Sequence, residues 1–449
     1  MPTASLSRSD VRQAIGRTIG LLYGGRTYSV TSATTAGGSG AGWLNIVDLP
    51  IANADELDGY GLYIASGGGL GQARTVVSLL NTSPAGIPSG SRLYPDRAFA
   101  PVPSTNAALE IWRAGNADVV NEFIADAIRS VGHRLLQHKE DAAIQLDDAL
   151  GAWGSFERWP SGSSSAPLGW TLNGAGAAVA REGTVVYSGR HAAKVTNQAA
   201  TAAYLETDNL PNYGGLAGKS ITVYAKCFTA TASRARIAID DGVAQTYSSY
   251  HDGATGWDGN GGTILSATQT ISGSPTKLTI QVRTESGDAI NVYWGKVWVD
   301  AGEHIYEYNL PESDTGETGF AYISEVWLEN EAVDGVFDKR LTTDYWDINR
   351  DVSPRRLVFR KGMVERWLRA GRQVRVIGQR FPRVPAADTD IIEVSPEYVR
   401  AATSVMLIDS MPYDEGSRSR RDRLENYARR FEESVASAPY PDSVAVEPF

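Results

Sequence analysis

The sequence predicts an α+β, β-rich fold: a helical hub of three long helices, a small N-terminal β-domain, and an inserted antiparallel jelly-roll β-sandwich. Three observations predict it. Apolar residues recur at three- and four-residue steps in stretches far apart along the chain, which is the period of a helix face. Between Gly151 and Val299, eight short segments alternate apolar and polar residues, the period of half-buried strands. The 46 glycines in 449 residues supply the turns that a strand-rich chain requires.

The first helix is expected over 7–22, where Val11, Ile15, Ile19 and Leu22 share a face and Ser7 or Ser9 can cap the free N–H groups. Gly16 and Gly20 weaken it, so packing rather than propensity must hold it. Residues 23–115 read as a small β-barrel or sandwich built from "TYSVTS", "WLNIVDL", "YGLYIAS", "ARTVVSLL" and "LEIWR". The second helix is expected from Asp118 to His138, with Val120, Phe123, Ile124, Ala127, Ile128, Val131 and Leu135 as its apolar stripe. Residues 1–22 and 116–149 thus form the first part of the hub, and 150–301 the jelly-roll insertion. A β-rich connector follows over 302–394, then the C-terminal helices of the hub over 395–437 and an extended tail over 438–449. Ser395 can cap the third helix and Pro396 suits its first position. Leu424, Tyr427, Phe431 and Val435 share one face of the last helix.

Composition narrows the function. A net charge of −10 argues against a protein that coats nucleic acid through bulk charge. One cysteine, Cys227, permits neither an internal disulfide nor a cysteine zinc cluster. No apolar run of ~18 residues reads as a membrane span, and the N-terminus lacks the apolar core of a signal peptide. The chain is therefore expected to be made in the cytoplasm and to have no membrane partner. The five histidines lack metal-site spacing, Cys227 has no basic neighbour in sequence, and there is no G-x-S-x-G elbow. No catalytic residue, cofactor or metal is expected, and the chain is read as not an enzyme. "SGGGLGQAR" lies between two strands, so it is a hairpin turn rather than a phosphate cradle.

Two stretches are candidate binding features. The loop "YSSYHDGATGWDGNGG" sets Tyr247, Tyr250 and Trp257 beside Asp258, aromatic faces next to oxygen acceptors. It reads either as a sugar-stacking site or as a packed loop. Between Arg350 and Arg383 there are eleven basic residues against two acids. Arg355, Arg356, Arg360, Lys361, Arg366, Arg369, Arg372 and Arg375 are its candidate contacts. Self-repulsion at that density calls for acids within a Debye length of ~8–10 Å. They are supplied within or between copies of the chain or by an acidic partner, or DNA phosphates take their place. Trp43, Trp112, Trp153, Trp159 and Trp170 read as β-domain core.

The helix "VNEFIADAIRSVGHRLL", the strand run from "EYNLPESDTGETGFAYISEVWLE" to "GRQVRVIGQ", and the ending "DTDIIEVSPEYVRAATSVMLI…RDRLENYARRFEESV" resemble the head–tail adaptor, or connector, proteins of tailed bacteriophages. That resemblance implies a structural virion protein at the neck, the head–tail interface. It implies a homo-oligomeric ring, a dodecamer, that binds the portal protein and the tail or nozzle proteins. Packaged DNA would thread its lumen without sequence specificity and leave through it on ejection. Subunit packing would fall on Val120, Ile124, Ile128, Val131, Leu135, Val399, Val405 and Met406. Separately, 150–301 resembles a carbohydrate-binding module, entered through "SFERWPSG…PLGWTLNG" and continued by "YSGRHAAKVT". This gives the alternative function: a glycan-binding tail-fibre or decoration protein that uses the jelly roll.

Overall fold

The computed structural model describes residues 6–34, 42–46, 49, 56–80, 91–113, 117–198, 200–210, 213–253, 257, 264–310, 313–314, 317–330, 335–362, 367, 369–410, 415–436 and 444–445. Among them, 26 strands stand against four α-helices: α1 (Arg8–Ile19), α2 (Ala117–Gly132), α3 (Pro396–Ser410) and α4 (Glu415–Ala436). The fold is mostly β, and the expected α+β architecture around three long helices is overturned.

The physical reason lies at the helix ends and on the helix faces. α1 stops at Gly20, whose φ of 77° is the left-handed cap that glycine adopts without a Cβ clash. α2 stops at Gly132 rather than His138, and the residues beyond it form the strand Gln137–Gln145. Among the described side chains of α4, Ala428 and Val435 are buried and Leu424 and Phe431 half-buried, while Tyr427 is 47% exposed. The helices pack on one another and on the barrel together. Their apolar faces share a cluster with Tyr63 and Trp112 of the barrel strands.

The chain folds as two compact units, Met1–Leu136 with Pro382–Tyr440, and Gln137–Phe381 with Pro441–Phe449. In the first, six strands close into a barrel in the order Tyr28–Thr34, Trp43–Ile46, Ser91–Pro95, Ala73–Leu80, Gly61–Ile64, Ala108–Trp112. Gly61–Ile64 and Ala73–Leu80 pair antiparallel, so "SGGGLGQAR" links a hairpin. α1 starts with a capping box in which Asp10 N–H donates to Ser7 Oγ and Ser7 N–H to Asp10 Oδ2. Gly16 lets α1 lie against Trp112, whose ring would stand 2.8 Å from a Cβ at that position.

A fully buried Arg12 ties this unit together. Its guanidinium donates to both oxygens of Glu110 at 2.9 Å and to both of Asp388 at 2.6 and 2.8 Å, and it lies 4.4 Å from the Tyr63 ring centroid. Burial alone would lower the Arg12 pKa, but the bonds to Asp388 and Glu110 raise it above its ordinary value. Burial would likewise raise Asp388, yet Arg12 and Arg8 hold it below the ordinary carboxylate range. A depressed carboxyl stabilises the fold above its unfolded pKa, and that contribution fades as pH falls through the folded value. Arg12→Met leaves Glu110 and Asp388 buried without this partner. It is expected to cost about 3–5 kcal/mol in urea unfolding at neutral pH, with the gap to the native chain shrinking as the pH falls below about 4.

The second unit contains a β-sandwich. Its front sheet has the order Gln245–Tyr247, Ala235–Asp240, Thr279–Thr284, Ala203–Thr207, Trp170–Asn173. Its back sheet has the order Leu265–Thr270, Ser220–Phe228, Asn291–Asp300, Ala192–Thr196, Ala178–Glu182. All these pairs are antiparallel, and the inward residues form one apolar core around Trp159, Trp294, Val223, Ile237 and Val282. This is the jelly-roll domain expected of 150–301. Trp112, Trp159 and Trp170 are buried, while Trp43 and Trp153 are half-buried.

The two ends of the sandwich meet. Asp148 accepts the N–H groups of Leu150 at 2.9 Å and Val299 at 2.7 Å, and Ala149 N–H donates to the Val299 carbonyl. Adjacent ends are what allow a domain to be inserted without distorting its host. Burial pushes the Asp148 carboxyl well above its ordinary range despite those two donors. The unit also holds a sheet ordered Phe337–Leu341, Tyr322–Glu329, Gln373–Arg380, Gln137–Gln145, a three-stranded sheet ordered Glu307–Asn309, Arg356–Phe359, Trp346–Asn349, and the short pair Ser313–Asp314 with Glu317–Thr318. The described part of the expected tail, Val444–Ala445, pairs with Tyr322 and Ile323.

Candidate functional site

The front sheet turns one side to the core and the other outward, because strand residues alternate between faces. Register decides which outward residues meet. Arg236 lies opposite Arg283, Arg283 opposite Tyr204, Ala238 opposite both Tyr247 and Gln281, and Gln281 opposite Glu206. Four strands distant in sequence thereby build one polar and aromatic platform.

Its rings are held by cations. The Arg236 guanidinium lies 4.0 Å from the Tyr247 ring centroid and 4.8 Å from that of Tyr250. The Arg283 guanidinium lies 4.5 Å from the Tyr204 centroid. Such contacts stabilise by about 0.5–1 kcal/mol each where exposed. The cations are aimed in turn by Glu285, whose Oε1 accepts Arg236 Nε at 2.8 Å and Arg283 Nε at 2.9 Å. Burial works to raise the Glu285 carboxyl, but the two arginines hold it below the ordinary range.

Hydrogen bonds run on across the face. Gln281 Oε1 accepts from Arg283 Nη1 at 2.7 Å and from Gln245 Nε2 at 3.2 Å, and Gln281 Nε2 donates to Glu206 Oε1 at 3.1 Å. Tyr247 O–H donates to Gln245 Oε1 at 2.6 Å. Lys277 bridges Asp240 at 2.6 Å and Glu206 at 3.6 Å. Tyr247 and Tyr250 nevertheless remain 38% and 46% exposed. The result is a rigid surface of ring faces ringed by carboxylate, amide and ammonium groups. Such a surface suits a ligand with apolar C–H faces and many hydroxyls.

Of the four residues expected at a glycan site, Tyr247 and Tyr250 come together here. Trp257 does not: it packs on Tyr187 and Phe228, centroids 5.6 and 6.0 Å away, and over Gly295 of the back sheet. Asp258 lies outside the described residues. Tyr204, Arg236, Gln245, Gln281, Arg283 and Glu285 were not anticipated. The signal available was strand parity, since Tyr204, Arg236 and Arg283 sit at polar-facing positions of alternating segments.

The basic stretch is dispersed. Arg356 pairs with Glu307 at 3.0 Å, and Arg375 approaches Glu140 at 3.7 Å and the Phe337 ring at 4.7 Å. Arg372 is buried and donates to the carbonyls of Glu329 and Trp367. Arg355 is half-buried, Arg360, Lys361 and Arg369 are exposed, and Arg366 lies outside the described residues. Among the residues expected to pack subunits, Val120, Ile124, Ile128, Val131 and Val399 are buried in the core of their own chain. Leu135, Val405 and Met406 are half-buried, and Leu135 and Met406 border the same cluster. No group of three or more His, Cys, Asp or Glu residues suited to a metal occurs among the described residues.

No protein-family model matches the chain, and no curated protein matches it. Among solved structures, the C-terminal family 22 carbohydrate-binding module of Clostridium thermocellum Xyn10B is similar over 31% of this chain and 88% of its own, with 18% identity and a TM-score of 0.23. TmCBM61 in complex with β-1,4-galactotriose covers 34% of this chain and 97% of its own, at 15% identity and a TM-score of 0.24. The enzymatically active domain of bacteriophage CBA120 tailspike protein 4 covers 34% of this chain and 21% of its own, at 12% identity and a TM-score of 0.24. The expected adaptor has no counterpart among these three.

The site yields a pH prediction. Because Glu285 is held low, its clamp on Arg236 and Arg283 contributes above the unfolded pKa of about 4.3 and is lost as pH falls below the folded value. The Tyr204 and Tyr247 ring resonances in NMR are expected to stay constant from pH 7 to about 4.5 and to shift together on further acidification. Glu285→Gln is expected to show the shifted positions at neutral pH.

Proposed function

We propose that the chain is a non-catalytic carbohydrate-binding protein whose saccharide platform is the outer face of the front sheet. The observation that carries this reading is the pair Tyr247 and Tyr250, exposed yet fixed by Arg236 within a hydrogen-bonded face. Pre-organised rings stack on a sugar without a further loss of rotamer freedom. Glu206, Asp240 and Gln281 stand within the same network as acceptors and donors for hydroxyls. The setting we infer is the virion of a tailed phage, a reading supported by the helix and strand runs that resemble neck proteins. The carbohydrate reading takes precedence over a channel-extending ring because a built face supports it.

A glycan array followed by calorimetry on the full chain tests this. At least one neutral oligosaccharide is expected to bind, and Tyr247→Ala or Tyr250→Ala to weaken it by about 1–1.5 kcal/mol, roughly tenfold in Kd, with an unchanged circular dichroism spectrum. Absence of binding at millimolar sugar, or equal affinity in both variants, rejects the platform.

A further inference from the structure

The same unit carries a second feature, a charged cavity of about 350 Å³. Lys139, Arg158, Arg181, Arg190 and Arg375 line it together with the acids Glu140, Asp141 and Glu157. A mixed cluster of this kind is a closed salt-bridge network if every donor finds an acceptor inside it. Here two buried guanidinium nitrogens find none.

Asp141 takes Arg158 Nη2 at 3.3 Å, and Glu140 stands 3.7 Å from Arg375 Nη1. Glu157 Oε1 is occupied by the backbone N–H groups of Arg190 at 2.8 Å and His191 at 3.0 Å. This grip depends on Gly189, at φ 75°, because a Cβ there would stand 2.2 Å from Glu157 Oε1. Burial pushes the Glu157 carboxyl up to about 7, so near neutral pH it carries only about half a negative charge toward the surrounding cations.

Two buried cationic donors are left unmet, and two exposed arginines stand beside them. Arg158, with 9% of its side chain exposed, has a buried Nε without an acceptor, and so does Arg375. The guanidinium groups of Arg181 and Arg190 have no ion pair or hydrogen bond among the described residues. Unsatisfied buried donors are costly, and those of a guanidinium suit the two oxygens of a carboxylate or phosphate.

We propose that this cavity is a second binding site, for a small ligand bearing a carboxylate or phosphate group, whose oxyanion is received by Arg158, Arg181 and Arg190. The site lies apart from the front-sheet platform and stands or falls independently of it. A volume of about 350 Å³ falls in the range of small-ligand pockets and exceeds what a bare ion needs.

Calorimetry on the full chain at constant ionic strength, with D-glucuronate, inorganic phosphate and neutral D-glucose as probes, tests the proposal. Saturable millimolar or tighter binding of glucuronate or phosphate is expected, with at least tenfold weakening in Arg181→Gln and Arg190→Gln. These two residues are exposed, so the variants are expected to fold even where Arg158→Gln does not. Tyr247→Ala is expected to leave oxyanion binding unchanged, which separates this site from the platform. Preference for glucuronate identifies a carboxylated sugar as the ligand class, and preference for phosphate a phosphorylated one. Binding of neither oxyanion, or affinity equal to native in both exposed arginine variants, overturns the proposal.

Discussion

One buried carboxylate joins the two sheets that wall the charged cavity. Glu329 Oε2 accepts Lys296 Nζ at 3.0 Å and Gln373 N–H at 2.8 Å, its Oε1 accepts Gly335 N–H at 2.6 Å, and its carbonyl accepts Arg372 Nε. Lys296 belongs to the back sheet of the sandwich, whereas Glu329 and Gln373 belong to neighbouring strands of the four-stranded sheet. The pair is nearly dry, with side chains 4% and 1% exposed. Charges removed from water to that extent hold only in a geometry that satisfies each of them. That requirement fixes the back sheet against the four-stranded sheet, and with it the walls of the charged cavity.

The platform rests on a different constraint, the register of the front sheet. A one-residue slip of Thr279–Thr284 would turn Gln281 and Arg283 inward and dismantle the network, because side chains alternate between faces. The inward residues Ile280 and Val282 are fully buried, so the slip would also expose the core. Core burial and surface chemistry are therefore set by the same pairing. Tyr250, just beyond Gln245–Tyr247, completes the face from outside the strands.

Much of the sandwich was legible in the sequence. "SITVYAKCF" and "INVYWGKVWV" announce Ser220–Phe228 and Asn291–Asp300 through plain alternation. The five-residue strands Ala192–Thr196 and Ala203–Thr207 are legible too, but Trp170–Asn173, Ala178–Glu182 and Gln245–Tyr247 are not, and "TVVYSG", which alternates like a strand, forms none. The helical pattern of the sequence runs on to His138, whereas Gln137 and His138 open the strand Gln137–Gln145, whose buried face appears only against Gln373–Arg380. The apolar stripes of the helices were visible too, but a stripe does not reveal what covers it. Here Trp112 and Tyr63 of the barrel do so in part, and the expected hub of three long helices gave way to a mostly β fold. At the candidate site, Tyr247 and Tyr250 stood out as aromatics in one loop. Tyr204, Arg236 and Arg283 span some 80 residues and meet only through strand register.

The proposed carbohydrate-binding role requires the front sheet, rather than a loop end or the back sheet, to receive the sugar. A crystal structure of the full chain soaked with the tightest array oligosaccharide tests it most directly. Sugar rings are expected over Tyr247 and Tyr250, with hydroxyls hydrogen-bonded to the Glu206–Gln281–Asp240 side of the face. Sugar bound against Trp257 on the back sheet, with the front face bare, would contradict it.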